Sequence, residues 1–218
     1  MRIILTDVTH MFGDRICTAG WSEEEQRMIR PLLPGGIHWT TAYATPTYLE
    51  VGNVLEFQPA NNNRIGTYPH ATEDYSLLND RAYIIEKISN DRIIDRIGGL
   101  STSPETVFTG NLQNRRFVNP GVRCPSLGAI DIPSDDINFT VSYGKLRAMF
   151  VCQRRQYEGI PVTGVFLRGM WQEQGLNALN QLKLRKTRAY IRLGLARAFV
   201  RDGQQHPCYM MVNNVLFH

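Results

Sequence analysis

The chain has 218 residues, of which 43% are hydrophobic and 20% charged, and a formal net charge of +4 at neutral pH. No apolar run approaches the ~18 residues of a membrane helix, so a membrane-spanning chain is not expected, and the length suits two β-domains of ~100 residues each. The cations are uneven: 20 arginines stand against 4 lysines. Arginine pairs bidentately with phosphate and stacks on bases, so this ratio points to an anionic partner, while a lineage preference for arginine codons gives the same count.

The N-terminal "MRIILTDVTHMFGDR" holds an apolar run of three residues, too short for a signal-peptide core, and a cytoplasmic protein is expected. "RIILTDV" and "RICTAGW", separated by a turn at Gly13-Asp14, predict an opening hairpin. "SEEEQRMIRPLLPGG" begins with Ser22 in an N-cap position and predicts a short helix closed by Pro31, Pro34 and Gly35-Gly36. "YLEVGNVLEFQP" alternates, with Val51, Val54 and Phe57 inward around a kink or bulge at Gly52-Asn53. "RAYIIEKIS" predicts another strand, and "NDRIIDRIGGLS" a short helix ended by Gly98-Gly99.

A second strand-rich block follows. Strands are predicted at "FTVSYGKLRAMFVCQ" and "RQYEGIPVTGVFLR", then an amphipathic helix near 172–186 carrying Leu176, Leu179 and Leu182. "TRAYIRLGLARAFV" and "CYMMVNNVLF" supply two closing strands around the turn-rich "RDGQQHP". The expected fold is mainly β: two small OB-like (Greek-key barrel) units at 1–100 and 101–218, with a few short helices. SH3-like barrels or one larger sandwich have similar element statistics. Cys17, Cys124, Cys152 and Cys208 form no C-x-x-C pair and are read as buried thiols.

"LTDVTHM", "RICTAGW" with "MIRPL", "VLEFQP", "PHATEDY", "YGKLRAMF" with "YEGIPVT", and "YIRLGLARAF" with "CYMMVNNV" occur in one order along almost the whole chain. Together they resemble the bacterial dual OB-containing domain family. That resemblance implies two OB-fold units, a nucleic-acid role and an association with bacterial defence loci. The chain departs from it at Gly164, where the family often has an acidic residue after "PVT".

In "TRAYIRLGLARAFV", strand alternation sends Ala189, Ile191, Leu193 and Leu195 to one face and Arg188, Tyr190 and Arg192 to the other. A tyrosine between two arginines suits a single strand, with the ring stacking a base and guanidinium groups on flanking phosphates. An edge strand solvated by its charges has the same pattern. Arg115 and Arg116 in "NRRF", and Arg154 and Arg155 in "QRRQY", extend the candidate surface at predicted turns.

His70, Glu73 and Asp74 in "PHATEDY" offer mixed metal ligands, but a loop braced by hydrogen bonds fits them better, and Asp7 and His10 are read the same way. Nucleophile elbows, P-loops and dinucleotide fingerprints are missing and no cofactor is expected, while dispersed acids such as Glu56, Asp131 and Asp136 leave a metal-dependent nuclease as an alternative. The reading is a non-catalytic protein binding single-stranded or structured DNA or RNA; its rival is a protein–protein interaction subunit built on the same barrels.

Overall fold

The computed structural model describes every residue except 46, and the side chains of all these except 61–64 and 90. The chain divides into two compact units. The first comprises Met1–Thr67 with Ala71–Gly99, and the second Tyr68–His70 with Leu100–His218.

The first unit contains β1 (Arg2–His10), β2 (Arg15–Ser22), β3 (Arg27–Leu32), β4 (Trp39–Thr40), β5 (Asn53–Arg64), β6 (Asp74–Lys87) and α1 (Asn90–Arg96). β1 and β2 form the expected hairpin, with a register shift between Leu5 and Asp7. Five strands close into a ring: β1–β2 and β2–β3 are antiparallel, β3–β6 parallel, and β6–β5 and β5–β1 antiparallel. Leu5, Ile16, Ile29, Leu55 and Trp39 are fully buried, and Trp39 is fixed by its indole N–H, which donates to Pro31 O at 2.9 Å. Arg30 and Asp74 form a buried ion pair at 2.6 Å. Burial works against the Arg30 charge, but Cys17, Asp74 and Glu73 outweigh it and raise its pKa above the ordinary value.

The helix expected at "SEEEQ" is a turn. Ser22 Oγ does accept the Glu25 amide at 3.2 Å, as an N-cap would, but Gln26 takes φ 51° and returns the chain into β3. A hydroxyl three residues before an amide serves a tight turn as readily as a helix start, and pairing with β2 decides the outcome.

The second unit contains β7 (Leu100–Ser101), α2 (Pro104–Val107), β8 (Phe117–Val118), β9 (Leu127–Pro133), β10 (Ile137–Ser142), β11 (Lys145–Cys152), β12 (Arg155–Pro161), α3 (Val165–Gln174), α4 (Leu176–Gln181), β13 (Arg188–Leu195), β14 (Phe199–Arg201), β15 (Gln204–His206) and β16 (Cys208–Phe217). β9 runs through a short 3-10 turn at Ser134–Asp136 into β10. β10–β11 and β11–β12 pair antiparallel, Val162 just past β12 bridges in parallel to Val212 of β16, and β16–β13 and β13–β9 are antiparallel. With β9 and β10 counted as one bent strand, the cyclic order matches that of the first unit, although no residue repeat announces it. The core gathers Phe108, Phe150, Tyr157, Leu167, Ile191 and Leu193.

The single helix expected over 172–186 is two shorter ones placed earlier. α3 takes the "VFLR" that reads as strand, Gly175 at φ 83° breaks the path, and α4 buries Leu179. A Cβ at Gly164 would lie 2.3 Å from Asn213 O, so the acidic residue implied there by the resemblance has no room. Cys124, Cys152 and Cys208 are buried and Cys17 half-buried, all as free thiols. The structure is thus mainly β, with barrel-like sheets and a few short helices. Among the described residues no helix is long and apolar enough to cross a membrane.

Candidate nucleic-acid interface

β13 is an interior strand, flanked by β9 and β16. Ala189, Ile191, Leu193 and Leu195 enter the core as the alternation predicts. The opposite side corrects the expectation of an open cationic face, because Tyr190 is only 2% and Arg192 only 1% exposed. Arg188 is half-exposed but committed to Asp131, whose carboxylate it meets at 3.0 Å while donating also to the Asp131 carbonyl, and His218 Nε2 lies 3.3 Å from the same carboxylate. A strand paired on both edges and buried along its length offers no surface, whatever its sequence alternation.

The open cationic surface of the second unit begins one hairpin earlier. Leu146, Ala148 and Phe150 of β11 point into the core, so Lys145, Arg147 and Met149 occupy the outer face. The turn joining β10 to β11 places Tyr143 and Gly144 at φ 50° and 65°, and Tyr143 is 97% exposed. Beside this hairpin a groove of about 600 Å³ is lined by Tyr143, Arg147, Arg116 and Tyr209, with Ile160, Pro161 and Met211 among its apolar walls. Phe117 packs edge-on to Tyr209 with ring centroids 5.9 Å apart, which sets the orientation of that tyrosine.

Two of the four arginines expected at turns are held by uncharged groups. Arg115 Nη1 donates to Gln156 O at 3.1 Å and Arg116 Nη2 to Glu158 O at 3.5 Å. Arg154 sits at the β11–β12 tip, and Arg155 lies 3.4 Å from Glu105. Among the described residues no carboxylate stands within 4 Å of the guanidinium of Arg115, Arg116, Arg147 or Arg154, whereas Arg2, Arg30, Arg96 and Arg188 each have one. Sequence reasoning missed Tyr143, Arg147 and Tyr209. The signal for the first two was present, in the Tyr-Gly pair at a hairpin centre and in the alternation of "KLRAMF".

The "PHATEDY" residues are structural in their contacts. His70 Nε2 lies 2.9 Å from Leu195 O, Asp74 pairs with Arg30, and Glu73 accepts a hydrogen bond from Thr72 Oγ1. Asp7 accepts one from Thr6 at 2.7 Å. Of the dispersed acids, Glu56 is paired with Arg2, Asp131 is occupied as above, and Asp136 lies in the short turn before β10. Among the described residues no three His, Cys, Asp or Glu side chains converge as metal ligands.

Comparison with protein-family models, with curated proteins and with solved structures returns no match.

Proposed function

We propose that both units are OB barrels and that the second binds single-stranded nucleic acid in the groove between Tyr143, Arg147, Arg116 and Tyr209. The topology supports the OB reading: in each unit three consecutive antiparallel strands are followed by one that returns beside the first, and a fifth closes the ring against the third. OB barrels bind oligonucleotides on the face of their second and third strands, between the loop joining strands one and two and the loop joining strands four and five. In the second unit these are β11 and β12, the Tyr143 turn, and the segment from Ala196 to Pro207 that carries the β14–β15 hairpin.

The observation that carries the proposal is the groove's lining, in which two arginines without carboxylate partners stand with two exposed aromatic rings. Guanidinium groups supply sequence-independent attraction to phosphates, and each ring stacked by a base adds about 1–3 kcal/mol. The resemblance to the bacterial dual OB-containing domain family belongs to the same proposal, with the accessory, non-catalytic role in defence that it implies.

Fluorescence anisotropy with labelled single-stranded DNA, single-stranded RNA and duplex DNA over a salt series tests it. Single strands are expected to bind best, with affinity falling as salt rises by about 0.7 log units per log unit for each phosphate contacted. Tyr143→Ala is expected to weaken binding by about 5–150-fold, the equivalent of one lost stack, and Arg188→Ala to leave the salt slope unchanged. If no probe binds at low salt, the groove is not a nucleic-acid site and a protein partner becomes the object of search.

A further inference from the structure

β12 leads away from the groove towards the β11–β12 tip, and a second depression opens along it. It measures about 460 Å³ and is lined by Asn114, Arg115, Arg116, Gln156, Tyr157 and Glu158. The first groove touches β12 at residues 159–161 and the second at 156–158, so they follow one another along the strand and share Arg116. From Pro161 to Arg155 the strand spans about 20 Å.

The wall facing β12 is a tight turn in which Asn114 and Arg115 have φ 47° and 56°, closed by the Arg116 amide on Gln113 O at 2.9 Å. The β11–β12 tip is built the same way, with Gln153 and Arg154 at φ 49° and 61°. Glycine is the usual occupant of the second central place in such turns, since it takes positive φ at no steric cost. Arginine holds that place in both. The carbonyl acceptors on β12 orient Arg115 and Arg116 without cancelling their charge, as a carboxylate would. Glu158 is the one acid in the lining, and its carboxylate accepts a hydrogen bond from the Gln156 side chain.

We infer that the second depression continues the binding groove. Arg116 and Arg115 hold successive phosphates of the strand as it leaves the two tyrosines, and Arg154 holds a further phosphate at the tip. This rests on the groove being a nucleic-acid site, and it extends the ligand class from a short oligonucleotide to a continuous single strand that follows β12.

The test uses the whole chain and single-stranded probes of about 4 and about 16 nucleotides, the range of OB site sizes. Arg115→Gly with Arg154→Gly keeps both turns in the residue that suits them best. That variant is expected to bind the short probe as wild type does, to bind the long probe about tenfold more weakly, and to lose about 1.4 from its salt slope, two contacts' worth. Glu158→Gln is expected to tighten the long probe several-fold and leave the short one unchanged. Should the double variant hold the long probe like wild type while Arg147→Ala weakens both lengths, the extension is wrong and the groove stands. If wild type binds neither length, both readings fall together.

Discussion

Tyr157 is the one phenol buried in the second unit's core cluster. Its ring stacks on Phe150 at 4.8 Å, and its hydroxyl donates to Glu105 Oε2 at 2.6 Å. Glu105 follows Pro104 in α2, a single turn of helix that Ser103 and Thr106 cap reciprocally. Burial raises the pKa of Tyr157 and the bond to Glu105 raises it further. For Glu105, burial pushes upward, but the bonds from Tyr157, its own amide and Ser103, with Arg155 nearby, win and hold it below the ordinary value. Its depressed pKa contributes stability that is present above about pH 4.3, where the unfolded carboxyl has ionised, and is lost as pH falls through the folded value. The raised Tyr157 contributes stability that is complete below about pH 10 and fades above it. Tyr157→Phe is therefore expected to cost about 1.5–3 kcal/mol near neutrality, the range for a hydrogen bond to a charged group. Denaturant unfolding at several pH values checks this: the gap between variant and wild type should narrow towards pH 3 and again above pH 10. A gap of constant size across that range would mean that the hydroxyl acts on something other than the carboxylate.

Turns and strands show where the sequence is readable and where it is not. The Asn114–Arg115 and Gln153–Arg154 turns place non-glycine residues at positive φ, which costs roughly 1–2 kcal/mol at a residue with a Cβ, partly offset in glycine by the entropy it loses on folding. Arg115→Gly and Arg154→Gly are accordingly each expected to raise stability by about 0.5–1 kcal/mol in thermal or denaturant unfolding, while together they weaken the binding of long strands. A loss of stability in Arg115→Gly would show that its bond to the Gln156 carbonyl outweighs the backbone strain. The opening hairpin, the short helix at Asn90–Arg96 and the inward face of β13 were legible because each depends on local periodicity and turn chemistry. The outward face of β13 was not, since Arg188, Tyr190 and Arg192 read the same on an edge strand as on an interior one, and strand order is a property of long-range pairing. "SEEEQ" and "GVFLR" were misread for a related reason: a serine cap and a short apolar run are each compatible with two local structures.

Across the whole molecule the excess of arginine over lysine serves two ends. Arg30 is sunk beside Asp74, Arg96 bridges Glu23 and Glu86 to tie α1 to its barrel, and Arg188 is clamped to Asp131, uses in which a planar fork meets acceptors in fixed directions. Arg116 and Arg147, by contrast, present their charge to an open groove without a carboxylate against it. A lineage preference for arginine codons and a binding role for guanidinium make different predictions at these two positions. If only charge matters there, Arg116→Lys with Arg147→Lys leaves binding intact. Where guanidinium planes stack on bases or grip phosphates through two N–H groups, the same variant keeps the cation count and therefore the salt slope, but loses affinity several-fold. The second outcome is expected, and anisotropy titrations at three salt concentrations separate the two, because slope reports the number of charges and the intercept reports what those charges do. An unchanged intercept would return the arginine excess to composition and leave Tyr143 and Tyr209 as the groove's remaining candidates for contact with bases.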